Sequence, residues 1–417
     1  MDLLQVEGLT VIRGTSEVLS NYDLNIHSGE CVILSGPNGC GKSTLIEAVA
    51  GLLPIHSGRI TISKPFGLTL QGGGIHGDEI VHERMRIAAN ISGADSQDAV
   101  QLLDQWNLAH RSADRIGQLS DGMGQRISTI QGLLPAYAGD DARLCLLDEP
   151  SLGLDDISVE TLISDINSLI ENGHSFLIAT HDSRLQKCAT RTIEMGEKSS
   201  RKSAARKTDL ANVKSAPVGK PFGRWASTLH MRTKTPFISL GLPLIAALII
   251  LAGIDSSRDQ DGMMTGVVLL FAPFISAMVT PPILRYVKEN RTGDWWRAHG
   301  DSFDPAIPAA VIIILSPWIV SHFSPFTIDL DNLKMLCLGL TMFTIYHANQ
   351  ALHLLADRLP RSAGQFVTLL TLILIWPFMM SAELVSDWNW TGFCISIGIP
   401  LIVAIAVPIV HPRTGSD

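Results

Sequence analysis

Two short segments of the sequence contain residue types that bind and cleave phosphoanhydrides. Residues 36–43 read Gly-Pro-Asn-Gly-Cys-Gly-Lys-Ser and fit the pattern G-x-x-x-x-G-K-[ST]. They follow an apolar run that ends at Leu34 and precede a predicted helix, so backbone N–H groups and the helix N-terminus would surround a phosphate. Lys42 would reach the β- and γ-phosphates, and Ser43 would hold Mg²⁺. This segment predicts a site for a nucleoside triphosphate.

The second segment is an apolar run over residues 144–147 that ends in two acids, Asp148 and Glu149. Carboxylates at the carboxyl end of a buried strand need a partner or a function, because burying an unpaired charge is costly. Asp148 would complete the Mg²⁺ shell, and Glu149 would act as a general base on the attacking water. Together the two segments predict ATP hydrolysis.

Four further segments complete an ordered set of motifs. Gln71 follows an apolar strand, residues 119–126 read Leu-Ser-Asp-Gly-Met-Gly-Gln-Arg, residues 151–155 read Ser-Leu-Gly-Leu-Asp, and residues 180–182 read Thr-His-Asp. In this order they resemble the Q-loop, signature, D-loop and switch histidine of the nucleotide-binding domain of ABC transporters. The resemblance covers residues 1–196. It implies an α/β P-loop NTPase domain, an ABC ATPase with a helical subdomain, that uses ATP and Mg²⁺.

The resemblance assigns roles to individual residues. The catalytic set is Glu149, His181 and Gln71, where His181 would contact the γ-phosphate and orient the attacking water. The metal set is Ser43, Gln71 and Asp148. The nucleotide-binding set is Asn38, Gly39, Cys40, Gly41, Lys42, Ser43, Thr44 and Arg13. The signature set, which would meet the ATP held by a partner subunit, is Ser120, Gly122 and Gly124.

Two departures from the family pattern concern ATP binding. Asp121 replaces the first signature glycine and Met123 replaces the glutamine. The retained Ser120 and Gly122 would keep the phosphate contact, while the added carboxylate would weaken ATP binding or slow turnover. Arg13 falls where the family has an aromatic residue against adenine. Its guanidinium would stack on the base, or it is a solvated arginine.

Composition divides the rest of the chain. The 417 residues have a positive mean hydropathy of +0.24 although 17% are charged, which favours a soluble part joined to a membrane part. The net charge of −8 does not favour a nucleic-acid partner. We expect the ATPase domain at 1–196 and a basic linker with an interfacial lead-in helix at 197–234. In the lead-in and directly after it, four apolar side chains would lie beside anionic lipid headgroups: Phe222, Trp225, Leu229 and Phe237. An all-α polytopic membrane domain follows at 235–412.

The predicted membrane domain has about six apolar segments, each near the length of a spanning helix. They are residues 235–254, 263–284, 305–323, 332–356, 363–385 and 391–410. Basic residues follow the second, fourth and sixth segments, and the other loops have few, so both termini and the ATPase domain would be cytoplasmic. The chain would be an integral protein of the cell or inner membrane.

The cytosolic stretch 285–304 contains Trp295 and Trp296 and follows the second segment. Its aromatic side chains would fit a groove near Gln71 and couple the ATPase to the membrane domain; the alternative is an amphipathic interfacial loop. The resemblance places each ATP between two subunits, and this chain has one set of motifs. It would therefore form a homodimer, or pair with a related half-transporter.

Several functions remain open. The first is export of an unidentified substrate, because the membrane half resembles the six-helix type-2 exporters. Within that class, the compact ATPase and residues 289–293 resemble the haem exporters of cytochrome c maturation. The second is a motor that acts on an extracytoplasmic partner without moving a solute. A soluble ABC ATPase and an importer fit less well.

The fourth apolar segment contains polar side chains. His347, Gln350 and His353 share one face of it. Polar groups inside a membrane are costly and normally face the interior of a helix bundle. These three residues would therefore face a substrate or haem, or they would form helix-to-helix hydrogen bonds.

Overall fold

The computed structural model describes residues 2–195, 200–201, 213–233, 245, 262–279, 289–299, 307–323, 330–358 and 371–410. They divide into two compact units. The first unit contains the described residues up to Trp225 together with residues 289–299, and the second contains the other described residues. The chain therefore leaves the first unit and returns to it before it enters the second unit again.

The first unit is built on two sheets. Its strands are β1 (Asp2–Arg13), β2 (Ser16–His27), β3 (Cys31–Ser35), β4 (Ser57–Ile62), β5 (Gly67–Thr69), β6 (Leu144–Asp148), β7 (Ser175–Ala179), β8 (Arg191–Glu194) and β9 (Ser200–Arg201). The smaller sheet is antiparallel, in the order β2-β1-β4. The larger sheet has the order β5-β6-β7-β3-β8-β9 and is parallel except at β9.

The apolar runs of the sequence form the centre of the larger sheet. Strands β6 and β7 are buried at every position, and β3 at all but its last residue. Strands covered on both faces need continuous apolar sequence, since no face meets water. The prediction of buried parallel strands is confirmed for these three strands.

Helices of the first unit cover and extend this sheet. They are α1 (Lys42–Val49), α2 (Val81–Ser92), α3 (Ser96–Gln105), α4 (Asp121–Tyr137), α5 (Asp156–Glu171), the start of α6 (Phe222–Arg232) and α8 (Thr292–Ala298). In sequence, α2, α3 and α4 lie between β5 and β6, and α2 packs against both of the others. They form the helical subdomain that the sequence predicted.

Two helices that begin at predicted motifs have their N-termini capped by side chains. The Ser120 hydroxyl accepts a hydrogen bond from Met123 N at 3.3 Å, and the Asp155 carboxylate accepts one from Ser158 N at 2.9 Å. Each cap satisfies a backbone donor that the first helical turn leaves unpaired. The signature and the D-loop are therefore held at the N-termini of α4 and α5.

The second unit is helical in its described residues. Its main elements are α7 (Gly262–Val279), α9 (Ile307–Phe323), α10 (Asn332–Arg358), a 3₁₀ turn (Thr371–Leu374), α11 (Ile375–Ser386) and α12 (Trp390–Val410). Buried Leu338, Met342 and Ile345 of α10 belong to a core shared with α7, α9 and α11. A Cβ atom added to Gly266 would collide with the carbonyl group of Ala382, so this glycine allows α7 and α11 to pack closely.

The predicted membrane segments have mixed outcomes. Five of the six overlap helices of the second unit, and the first, 235–254, lies outside the described residues except for Ile245. Within the described parts of the chain, none of the helices combines the length and the apolar character that crossing a bilayer requires. The six-span membrane domain is therefore not confirmed.

Polar side chains in α10 contact neighbouring groups. Asn349 Nδ2 donates to the carbonyl oxygens of Ala277 and Met278 on α7, at 3.2 and 3.1 Å. The His347 ring lies edge-on to Phe343, with ring centroids 4.3 Å apart. Asn349 therefore forms helix-to-helix hydrogen bonds, and the two interpretations of His347, Gln350 and His353 stay predictions.

Candidate ATP-hydrolysis site

Four neighbouring strands of the larger sheet end at the same edge. In the order β5-β6-β7-β3 they are followed by Gln71, by Glu149, by His181 and by the loop 36–41. Parallel strands place their carboxyl ends together, and ligands of open α/β sheets bind there. The fold thus brings to one edge the predicted catalytic residues, which are separated in sequence.

Glycines shape the loop between β3 and α1. Gly36, Gly39 and Gly41 have φ angles of 135°, 83° and 105°, values that other residues rarely adopt. Lys42, the first residue of α1, is 7% exposed, and its ammonium group donates to the carbonyl oxygens of Gly36 at 2.8 Å and Pro37 at 3.1 Å. The loop therefore holds a cation beside its backbone, at a helix N-terminus, as a phosphate site requires.

A hydroxyl and a carboxylate meet behind this loop. Ser43 Oγ donates to Asp148 Oδ1 at 3.0 Å, and Asp148 is fully buried at the end of β6. Burial raises the pKa of Asp148, and the Ser43 hydrogen bond opposes that rise. Among the described residues, Asp148 Oδ2 has no hydrogen-bond partner. A buried, unpaired acceptor beside a hydroxyl oxygen is an all-oxygen donor pair that suits Mg²⁺.

Glu149 is held in a defined orientation one residue further on. Its backbone has a left-handed φ of 49°, and its N–H donates to the Ala179 carbonyl oxygen at 2.8 Å. Its Oε2 accepts hydrogen bonds from Thr180 Oγ1 and His181 N, both at 3.3 Å. His181 Nε2 lies 3.7 Å from Glu149 Oε1. The carboxylate is therefore directed to the exposed edge of the sheet, where it can take a proton from water.

Gln125 is a site residue that the predicted sets do not include. Its Nε2 donates to the carbonyl oxygens of Glu149 at 3.2 Å and Pro150 at 3.3 Å. It therefore ties α4, which begins at the signature, to the turn that carries the general base. The sequence signal was the Gln-Arg pair that continues the signature, and Arg126 also bonds outward, to Asp155 Oδ2 at 2.9 Å.

The signature residues lie at the start of α4, beside the D-loop. A Cβ atom added to Gly122 would lie 2.6 Å from the Gly153 carbonyl oxygen, so only glycine fits there. A Cβ atom on Gly124 would meet no atom within 4 Å. Asp121 is exposed in the first turn of α4. The replaced first glycine is therefore tolerated by the fold, whereas Gly122 is required by close packing.

Arg13 is part of an ion pair in the structure. Its guanidinium contacts the carboxylate of Glu47 on α1, and 45% of the Arg13 side chain remains exposed. This contact binds Arg13 to the helix that begins at Lys42. The predicted stacking of Arg13 on adenine stays a prediction, and the exposed part of the side chain leaves room for it.

The segment 289–299 packs against the loop that follows Gln71. Gly74 N donates to the Asn290 carbonyl oxygen at 2.8 Å, and a Cβ atom added to Gly74 would lie 2.9 Å from Trp295 Cβ. The fully buried Arg84 guanidinium lies over the Trp295 ring, 3.9 Å from its centroid. Trp295 thus occupies a groove next to the Gln71 loop, as the sequence predicted.

Trp296 belongs to an aromatic cluster on the same segment. Its ring centroid is 5.0 Å from that of Phe222, 5.1 Å from Trp225 and 5.2 Å from Trp295. Phe222 and Trp225 are each 3% exposed. Their expected position beside lipid headgroups is therefore wrong, because both rings have a protein partner that lies far away in sequence and that local pattern could not reveal.

Comparisons with known proteins agree with this site. Residues 19–152 match the family model described as ABC transporter. A macrolide export ATP-binding/permease protein MacB of Yersinia pestis is 33% identical over 202 residues, which cover 43% of this chain and 29% of that protein. The MacB of Psychrobacter arcticus is 29% identical over 260 residues, or 56% of this chain and 37% of that protein.

One solved structure in the comparison is a dimeric ATP-binding cassette in a post-hydrolysis state with ADP and Pi. It is 22% identical with a TM-score of 0.43, and the match covers 48% of this chain and 98% of that one. The chain spans only about a third of the length of the MacB relatives that it matches. The residues that match the family model include the phosphate loop, the signature and both acids at the end of β6. Residues 19–152 therefore belong to an ATP-binding domain of the ABC transporter type, and ATP hydrolysis is the activity of this domain.

Proposed function

We propose that the protein couples ATP binding and hydrolysis, in a dimer, to the export of a substrate across a membrane. The observation that carries this proposal is the position of segment 289–299. It comes from the middle of the helical half of the chain, yet it belongs to the same compact unit as the ATPase domain. Gly74 donates a hydrogen bond to Asn290, and Trp295 packs against Gly74 and Arg84. These contacts connect the segment to the loop that follows Gln71.

The arrangement at the sheet edge supports a separate role for each group of residues in ATP hydrolysis. Residues 38–44 would surround the phosphates, with Lys42 on the β- and γ-phosphates. Ser43, Asp148 and Gln71 would hold Mg²⁺, which neutralises charge on the phosphate oxygens. Glu149 would accept a proton from the attacking water, and His181 would contact the γ-phosphate.

Dimer formation follows from the single set of motifs. Ser120, Gly122 and Gly124 would contact the ATP bound by a second subunit, either another copy of this chain or a related half-transporter. The proximity of Gly122 to Gly153 supports a continuous surface of signature and D-loop for that partner. Asp121 would add a negative charge beside the partner's phosphates and weaken ATP binding there.

Membrane integration is part of the proposal. The helices of the second unit overlap five apolar segments of the sequence, and the basic loops favour cytoplasmic termini. The names of the two MacB relatives refer to macrolide export, which favours export over import. The substrate class stays open, since the chain matches only part of those proteins.

The test is ATP turnover by the purified chain in lipid nanodiscs, with the mass of the particle measured in the same sample. We expect turnover from a particle of two chains, and loss of turnover in Glu149→Gln. Purification of the chain from the aqueous fraction without detergent would contradict membrane integration. A folded two-chain particle without turnover would contradict the homodimer and favour a partner with a standard signature.

Inside-out membrane vesicles separate export from the motor alternative. ATP-dependent accumulation of a radiolabelled macrolide, absent in Glu149→Gln vesicles, would support export. ATP turnover that rises only when an extracytoplasmic protein binds, with no accumulation of solute, would favour the motor.

A further inference from the structure

Glu47 connects three parts of the first unit through one carboxylate. It lies on α1, five residues after Lys42, and is 5% exposed. One oxygen contacts the Arg13 guanidinium, and the other lies 2.7 Å from Arg291 Nη1. A carboxylate buried to this degree needs a charged partner, and losing one leaves an uncompensated charge. Glu47 has two, from distant parts of the chain.

Arg291 reaches Glu47 from segment 289–299 and is itself tightly placed. Its Nε donates to Asp294 Oδ2 at 2.8 Å, and a Cβ atom added to Gly72 would lie 3.8 Å from Arg291 Cγ. Arg291 and its neighbour Asn290 both have left-handed φ angles, of 60° and 47°. Non-glycine residues in this region are strained and persist where surrounding contacts hold them.

The contact lies close to the groups that bind phosphate and metal. Helix α1 begins with Lys42 and Ser43, so a displacement of Glu47 along the helix axis also moves these two side chains. Arg291 is therefore linked to the ATP site by two contacts, one with Glu47 of α1 and one with Gly72 of the loop after Gln71.

We propose that Glu47 is a positioning residue that transmits the nucleotide state of the ATP site to segment 289–299. Arg13 links it to the end of β1, where the base is expected, and Arg291 links it to the segment. This inference rests on the proposed function, because it takes segment 289–299 to be the element that couples the two units.

Hydrogen exchange of the backbone amides of residues 289–299, with and without ATP, tests this inference. The full chain in nanodiscs carries Glu149→Gln, so that ATP stays bound. The test variants in that background are Glu47→Gln, Arg291→Gln and both together. The matched control is Arg297→Gln, which removes a guanidinium of the same segment that pairs with Asp294 and not with Glu47.

We expect ATP to slow exchange in the segment, and each test variant to reduce that change by about twofold or more, as for directly coupled charges. The double variant should reduce it no further, because the two residues act through one contact. Arg291→Lys, which keeps the charge, should restore most of the response. Arg297→Gln should leave it in place.

The outcomes separate this inference from the proposed function. No effect of bound ATP on the segment in the parent chain would overturn both. An ATP effect that survives Glu47→Gln and Arg291→Gln, or that Arg297→Gln removes equally, would overturn the role of Glu47 alone. If Glu47→Gln does not fold, Arg291→Gln decides the matter, since it leaves Glu47 paired with Arg13.

Discussion

The ATP site at the sheet edge and segment 289–299 are assembled by different forces. At the sheet edge, backbone hydrogen bonds between β5, β6, β7 and β3 place Gln71, Glu149 and His181. The segment is instead held by side chains: an ion pair to Glu47, an Arg84–Trp295 stack and a cluster of aromatic rings.

This difference predicts which region tolerates change. Catalytic residues at strand ends are positioned by the backbone hydrogen bonds of the sheet, which no single side chain controls. Substitution of one of them should therefore abolish catalysis and leave the fold intact. Segment 289–299 has few backbone hydrogen bonds to the rest of the unit, so a small number of side chains control its position. Substitution in the segment should weaken its packing and its coupling to the ATP site more than it reduces catalytic activity.

The largest expected effect tests the sheet edge. Glu149→Gln removes the general base and keeps the hydrogen-bonding shape, so ATP turnover should fall by about 10²- to 10⁴-fold while ATP binding persists. Turnover and nucleotide binding measured on one sample check this. Trp295→Ala, as the matched change in the segment, should leave turnover within about tenfold of the parent if chemistry and packing are separate. Turnover retained by Glu149→Gln would remove Glu149 from the mechanism.

The next effect tests the segment. Trp295→Ala deletes a ring that is 1% exposed and contacts Arg84 and His299. The free energy of unfolding should therefore fall by about 3–5 kcal/mol. Denaturant unfolding, followed with hydrogen exchange of residues 289–299, measures this loss. Trp390→Ala, at a tryptophan that is 53% exposed, is the control. An equal loss in both variants would contradict a packing role specific to Trp295.

A smaller effect depends on pH. Burial lowers the pKa of His299 in the segment, and of His174 in the ATPase domain, from 6.5 to about 4. Both are neutral when folded and gain a proton on unfolding below pH 6.5. Their contribution to stability is therefore full above 6.5 and is lost as the pH falls toward 4, by up to about 1.4 kcal/mol per pH unit for each group.

Unfolding measured at pH 7 and pH 5 checks this prediction in two variants. His299→Gln and His174→Gln should each weaken the pH dependence of unfolding of the first unit, because both histidines belong to that unit. A pH dependence that neither variant reduces would show that other groups take up the protons.

The smallest effect concerns the altered signature. Asp121 is exposed, so Asp121→Asn should lower the KM for ATP by only about two- to fivefold, and added salt should reduce the difference. The control is Asp141→Asn, an exposed aspartate in the turn before β6. Identical KM values for Asp121→Asn and the parent would mean that this carboxylate does not meet the partner's phosphates.

Local pattern predicted more of the sheet edge than of anything else. The apolar runs ending at Leu34, Leu147 and Ala179 are buried strands, and the residues after them meet at one edge. Such runs are informative because a buried parallel strand needs continuous apolar sequence. The interpretation of Phe222 and Trp225 as lipid-facing failed because an amphipathic pattern shows that a face is apolar, and does not show what covers it.

The sequence by itself determined the phosphate loop, the two acids at the end of β6, the switch histidine and the order in which they occur, because each depends on neighbours within a few residues. Only the tertiary structure decided that Glu47 joins Arg13 to Arg291, that Gln125 supports Glu149, and that Trp295 lies against Gly74 and Arg84. These contacts join residues tens to hundreds of positions apart. Their charges and rings are common in any sequence, and folding alone selects which of them meet.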